Sequence, residues 1–336
     1  MDTANHFPFR STATFAWRSV LFFVLYSLTI CALYAWAGWT FLAMPFVPIA
    51  AIGTAVAFYI GFKNNSSAKR LWESRRVWGE LVNASRSWGV MVMDYVGNMD
   101  APLCCSADEL FRTQQMLIYR HVAYLNAVRI QVGGRHNCFD PSDSAEDLRG
   151  FQSQMDKELS MFLHDDEVEY FMARQNPAAQ IIRRQSAQLR ELRMAGLITE
   201  FYHSDMEHIL SDLYAQQGAA ERLKALPFLR QYAFNSYLFV CLFISILPFG
   251  LLTEMAKLSS WHIWLTVPFY TIIAWVFYTM ELVSDTSENP FENNISDVPM
   301  KAICRSVEVD LREMLGEPSL PQKVQAAESI LTPVKK

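Results

Sequence analysis

The chain has 336 residues, 51% of them hydrophobic, and a mean hydropathy of +0.09. That is too apolar for most soluble proteins and too polar for a chain that lies in a membrane throughout. A formal net charge of -5 gives no reason to expect a nucleic-acid partner. The six cysteines, Cys31, Cys104, Cys105, Cys138, Cys241 and Cys304, are scattered without a CxxC pair. They read as free thiols, two in apolar stretches and the rest facing a reducing compartment, rather than as a disulfide framework.

Residues 1–18 are polar and form an expected cytosolic N-terminal segment, with Arg10 and Arg18 as its basic groups. The first apolar run starts only after Arg18 and is longer than a signal-peptide core, so it is expected to stay as an anchor. From Ser19 to Phe62 no charged side chain occurs, which leaves room for two spans of roughly 20 residues each. Gly38 and Pro45 mark the turn between them, and Tyr34, Trp36, Trp39 and Phe41 cluster there as aromatic rings do at a membrane interface. Lys63, Lys69, Arg70, Arg75 and Arg76 follow the second span closely. The excess of positive charge places that flank, and with it the amino terminus, in the cytoplasm.

Within the second span Thr54, Phe58 and Phe62 recur every four residues and so share one helical face. Copies assembled around this face would present one ring of Thr and two of Phe to a central axis. The same stripe also suits packing against a neighbouring helix, the commoner use of aromatic residues at this spacing.

Residues 63–230 contain no stretch apolar and long enough to cross a membrane and read as a cytosolic helical domain. Ser106 and Glu109 make a capping box that opens a helix striped with Leu110, Gln114, Leu117, His121, Tyr124 and Val128, closed by Gly133 and Gly134. A polar loop through Asp140, Pro141 and Ser142 precedes a stripe at Phe151, Met155, Leu159 and Phe162. Asn176 and Pro177 are an N-cap and first-turn proline for a helix carrying Ile181, Leu189 and Leu192. Met206, Ile209, Leu210 and Leu213 predict one more helix, and the lack of period-two alternation predicts no strands.

Two further spans are expected within 231–283, at Gln231 to Thr253 and Leu258 to Met280, joined by an external turn at Glu254 to Lys257. Pro248 and Pro268 lie inside them and are expected to kink them. Residues 284–336 return to the cytoplasm with an amphipathic helix on Met300, Ile303, Val307, Leu311 and Met314, then a tail.

The run IGFKNN at Ile60 to Asn65, followed by Lys69, Arg70, Leu71, Trp72 and Glu73 and then Val77, Trp78 and Gly79, resembles the bacterial branch of the bestrophin family. That branch carries a GF(R/K)N element before RWWE and a WG pair; here Leu71 replaces the first Trp. Leu226-Pro227-Phe228 and Glu288-Asn289-Pro290-Phe291 extend the resemblance, which covers most of the chain up to about Leu315. It implies an all-α membrane protein with four transmembrane helices and a large helical cytosolic region, assembled as a homopentamer around a pore. Carried over by position, the neck would be Thr54, Phe58 and Phe62, with Thr54 standing where the family tends to have a larger apolar residue. Leu226, directly before a proline, would form the cytosolic aperture, although the proline also serves simply to end a helix. Asn289, Asn294 and Asp297 match a degenerate form of the calcium clasp of animal members. The acidic run that should follow is missing and too few carboxylates remain for a calcium site, so calcium gating is not expected, and no metal site or cofactor is assigned.

The reading is a pentameric channel of a bacterial inner membrane that passes monovalent ions, cations favoured over anions, with the lipid bilayer and its own copies as partners. A membrane-anchored scaffold whose cytosolic helices bind a protein is the reading from another class, and an anion-conducting channel is a variant of the first. A coupled transporter would need ionisable groups deep in the spans, and His262 sits near one end. Enzyme motifs of the Walker, GxSxG and HExxH types do not occur. His203 and Glu207 share a helix face and read as solvated neighbours rather than metal ligands. His121 reads as a satisfied core histidine, and the adjacent Cys104 and Cys105 as an improbable redox pair, since vicinal disulfides are strained.

Overall fold

The structure, a computed structural model, describes residues 9–97, 106–133, 145–225, 230–259, 261–286, 290–291 and 297–322. Among these the longer regular elements are α-helices: α1 (Phe9–Ala37), α2 (Phe46–Tyr95), α3 (Ala107–Val132), α4 (Ala145–Leu159), α5 (Asp165–Met172), α6 (Pro177–Met194), α7 (Glu200–Ala225), α8 (Arg230–Ala256), α9 (Thr266–Thr286) and α10 (Met300–Met314). Short 3₁₀ turns at Thr40–Leu42 and His262–Leu265 precede α2 and α9. The chain divides into two compact units, one of residues 1–70, 227–288 and 326–336, the other of residues 71–226 and 289–325.

Among the described residues the first unit holds four helices long and apolar enough to cross a membrane, and the fold is that of an all-α membrane protein with a second helical unit. The α1–α2 turn forms where the sequence placed it. Gly38 adopts a left-handed φ of +66°, open to glycine at no steric cost, and the Trp39 N–H donates back to the Leu33 carbonyl at 3.5 Å. Thr253 Oγ1 donates to the Met44 carbonyl at 2.6 Å and the Met44 N–H to the Phe249 carbonyl at 3.3 Å, so this turn is tied to α8. The shared core takes Phe23 from α1, Ile49, Val56 and Ile60 from α2, Val240, Phe243, Ile244, Leu247 and Leu251 from α8, and Tyr270 and Ala274 from α9. Helix α2 approaches α8 closely enough that a Cβ on Gly53 would lie 2.6 Å from the Phe243 ring, and one on Gly250 would lie 2.8 Å from Ile49 Cδ1. Pro248 lies inside α8 as expected. Pro268 does not interrupt a span: α9 starts at Thr266, so this proline sits in the first turn, where an amide has no intrahelical acceptor to lose. Trp36, Trp39, Phe41 and Trp261 all stay exposed, the disposition of rings that meet headgroups.

The second unit is built around α3. Ser106 caps it with the reciprocal capping box that its sequence predicts, and every residue from Arg120 to Val132 is buried. The stripe forecast one apolar face. From Arg120 on the helix is instead enclosed all round, because α4, α6, α7 and α10 pack on α3 and α2 supplies Trp78, Leu81, Trp88 and Val92 to the same core. Most of the charged and amide groups drawn inside are paired: Arg120 with Glu167 at 2.6 Å and Gln185 at 3.2 Å, Arg129 with Glu158 at 3.0 Å, and Gln131 with Asn176 at 3.1 Å. Asn176 accepts the Ala179 N–H as the N-cap of α6, with Pro177 in the first turn. The stripe read at Phe151 to Phe162 belongs to α4 only as far as Leu159, and Phe162 follows in the turn before α5, a helix too short to leave a periodic signal.

Candidate pore-lining site

Helix α2 has two faces that the chemistry of its side chains separates. Ile49, Gly53, Val56, Ile60, Lys63, Ser67 and Ser74 are buried, at spacings of three, four and seven that keep them on one stripe. Thr54, Phe58 and Phe62 lie away from that stripe and are exposed, the two phenylalanines by 66% and 65%. Exposure on this scale is unusual for a large apolar ring with no charge beside it, and it needs lipid, a partner helix or a confined pore to face. The Thr54 hydroxyl donates to the Ala50 carbonyl at 2.9 Å, so its hydrogen-bonding capacity is used within its own helix. Gly61, next to Phe62, has open space where a side chain would stand.

The side of α2 turned toward α8 and α9 is polar as well as apolar at its lower end. Lys63 Nζ lies 2.6 Å from Glu281 Oε1, and the two side chains are 1% and 6% exposed. Ser236 Oγ donates to Glu281 Oε2 at 2.6 Å, so both carboxylate oxygens are engaged. One turn earlier Tyr59 and Tyr232 stack at 4.1 Å, and each hydroxyl donates to the other residue's carbonyl at 3.4 Å. Lys63 is therefore not the first exposed charge of the positive flank, as its place in the sequence implied. The exposed charges that begin that flank are Lys69, Arg75 and Arg76. Glu281 stands just past the expected end of the fourth span, and Lys63 just past the end of the second. Two opposite charges at matching ends of two spans were the signal that these residues face each other.

The other residues singled out in the sequence are less fully placed. Leu226 lies outside the described residues, one position beyond the end of α7 at Ala225, as do Asn289 and Asn294. Asp297 is buried, and beside it the Val298 N–H donates to the Pro290 carbonyl at 3.3 Å. Phe291 of the NPF element is 2% exposed and belongs to the second unit's core, so its role is an apolar anchor. Among the described residues no group of three or more His, Cys, Asp or Glu side chains is placed to hold a metal ion. His203 Nε2 and Glu207 Oε1 are 3.6 Å apart and part-buried rather than solvated.

His121 is a correction to the sequence reading. It is fully buried and lies between Trp88 and Tyr124, at ring-centroid distances of 6.0 and 5.7 Å. Neither ring nitrogen has a hydrogen-bond partner among the described residues, so the side chain is packed but not satisfied. Burial without a counter-charge pushes its pKa down to about 3, which keeps it neutral. Cys304 is likewise enclosed; its thiol contacts the Leu125 carbonyl at 3.7 Å and burial pushes its pKa up to about 12, which leaves it unreactive. Cys104 and Cys105 lie outside the described residues.

Comparison with known proteins adds to this geometry. The Bacterial/Fungal Bestrophin protein family matches residues 11–313. The voltage-dependent anion channel-forming protein YneE of Escherichia coli K12 is 25% identical over 303 residues, covering 89% of this chain and 86% of its own. The voltage-dependent anion channel-forming protein RSc3414 of Ralstonia nicotianae is 24% identical over 94% of this chain and 95% of its own. A crystal structure of a bacterial bestrophin homologue from Klebsiella pneumoniae superposes with a TM-score of 0.74, at 22% identity, over 89% of this chain and 98% of that one. A match to nearly the whole chain, with a shared fold, makes this protein a member of the bacterial and fungal bestrophin family.

Proposed function

We propose that the protein is a passive ion channel, in which five copies of the chain turn the outward face of α2 to a common axis and ions pass between rings of Thr54, Phe58 and Phe62. It is a channel and not an enzyme, in keeping with its family and with the channel-forming names of its relatives. The observation that carries the neck assignment is the asymmetry of α2: Phe58 and Phe62 are about two-thirds exposed while Val56 and Ile60 on the opposite face are 5% and 0% exposed. Rings of aromatic side chains narrow a pore and set its barrier by width and wetting rather than by charge. Leu226 is proposed as the second constriction, and Asn289, Asn294 and Asp297 as a remnant of a clasp that binds no calcium. The proposal puts the chain in a bacterial inner membrane with both termini cytoplasmic, a reading supported by the positive flank of Lys69, Arg75 and Arg76.

The sequence reading favours monovalent cations, on the branch resemblance and the net charge of -5. The names of the relatives favour anions as the second reading. The neck carries no charge and supports neither. Purified protein in planar bilayers under a potassium chloride gradient separates them by the sign of the reversal potential. Phe58→Ala or Phe62→Ala is expected to change unitary conductance; no current from any variant, wild type included, would favour the membrane-anchored scaffold.

A further inference from the structure

The buried stripe of α2 is apolar until Lys63, where an ammonium group takes the place of the next aliphatic side chain. Its partner Glu281 belongs to α9 and the second donor, Ser236, to α8, so one carboxylate joins three spans through two contacts of 2.6 Å. A buried ion pair is a poor way to gain stability, because the cost of removing two charges from water offsets most of their attraction, and apolar side chains of similar volume often do as well. What it adds is direction. An aliphatic side chain tolerates a modest turn of its helix against a neighbour, whereas a charged hydrogen bond weakens steeply with distance and angle. Lys63 follows Phe62 directly, about 100° further round the helix. Fixing the ammonium on Glu281 therefore fixes the bearing of Phe62, and Phe58 one turn above moves with it. The stacked Tyr59 and Tyr232, joined by two hydrogen bonds, brace the same end of α2 against α8.

We infer that the Lys63–Glu281–Ser236 cluster is a positioning device for the pore neck: it sets the rotation of α2 and with it the width of the ring that Phe58 and Phe62 form. This rests on the neck reading above. Positioning and plain stabilisation come apart in the double variant Lys63→Met with Glu281→Met, which keeps the volume and removes both charges. The full-length protein carrying both changes is expected to retain the wild-type oligomer on size-exclusion chromatography and an undiminished thermal midpoint in detergent. In planar bilayers its unitary conductance or the curvature of its current–voltage relation should differ from wild type by about two-fold or more. Ser236→Ala, which removes a single hydrogen bond and serves if the double variant does not assemble, should shift the same quantity in the same direction by less. Wild-type conductance and curvature in the double variant, or in Ser236→Ala where only that variant assembles, would overturn the inference. Phe58→Ala and Phe62→Ala run beside them. If these change conductance while the cluster variants do not, the positioning role fails and the neck stands. If both phenylalanine variants leave conductance unchanged, the neck reading fails and the positioning role goes with it.

Discussion

In the four spans, only 17% to 44% of each apolar window is enclosed by the rest of the chain, whereas in the second unit thirteen consecutive residues of α3, Arg120 to Val132, are all buried. The second unit completes its own core and draws arginines into it with carboxylate partners, Arg120 with Glu167 and Arg129 with Glu158. The first unit leaves Phe22, Phe58, Phe62, Phe234 and Ile272 exposed and buries a single described ion pair, Lys63 with Glu281. Water drives the one kind of burial. The other unit is expected to meet lipid and copies of itself, where apolar exposure costs little and a buried charge must have a specific reason. So in the second unit a buried aromatic ring is expected to report on stability, and in the first an exposed ring is available to lipid, to a copy of the chain or, on the proposed neck, to the pore.

The largest effect expected tests that division directly. Trp88 is 0% exposed in the second unit's core, and Trp88→Ala should cost about 3–5 kcal/mol. Phe58→Ala removes a comparable ring from an exposed face and should leave stability within about 0.5 kcal/mol. Thermal unfolding in detergent followed by circular dichroism measures both, and a Phe58→Ala midpoint as depressed as that of Trp88→Ala would dissolve the contrast.

Gly53→Ala probes the place where the first unit does pack closely. The added methyl would stand 2.6 Å from the Phe243 ring, and overpacking of this kind costs up to about 3 kcal/mol unless the ring finds another rotamer. The double variant with Phe243→Leu should recover most of the loss in the same unfolding assay. Gly61→Ala, eight residues on and facing open space, should cost far less.

Acid sensitivity should come from the second unit. The ordinary histidine pKa is 6.5 and burial lowers that of His121 to about 3, so between these values the unfolded chain binds a proton that the folded one does not. Stability therefore falls as pH drops from 6.5 toward 3, and by pH 5 this one residue removes roughly 2 kcal/mol. His121→Phe, which keeps a ring between Trp88 and Tyr124, should flatten the dependence of the unfolding midpoint between pH 7 and 5. A variant whose midpoint still falls as steeply as the wild type's would place the sensitivity elsewhere.

What could be read from the sequence follows the range of the interaction. Hydropathy is a property of a contiguous run, so the apolar stretches were visible, and so were the caps at Ser106 and Asn176, whose partners are three residues away. The Thr54, Phe58 and Phe62 face was visible as a period, while its use depends on partners outside one chain. The Lys63–Glu281 pair spans 218 positions and leaves no local trace beyond a charge at the end of each span. His121 was correctly read as buried, but whether a core histidine finds a hydrogen-bond partner depends on what the helices packed around α3 bring to it.

The smallest effect expected falls on that most legible element. Ser106 Oγ accepts the Glu109 N–H at 3.3 Å, and Glu109 Oε2 accepts the Ser106 N–H at 2.9 Å, so the box satisfies the first amides of α3 reciprocally. The Ser106 N–H first, and then the Ser106 hydroxyl, which donates to Glu109 Oε2 at 3.1 Å, hold the Glu109 carboxyl below the usual carboxylate range. Because the site is exposed, water substitutes for part of what is removed, and Ser106→Ala should cost about 1 kcal/mol while Ser106→Asp should cost almost nothing. Hydrogen exchange at the amides of residues 107–110, compared between the two variants, distinguishes a frayed first turn from a change in the whole unit. Faster exchange confined to that turn fits a helix whose burial beyond Arg120 is secured by tertiary packing. Faster exchange reaching Tyr124 would mean that the cap and the buried half of α3 open together, and the contrast between a self-sufficient core and an open membrane unit would then be weaker than the burial pattern implies.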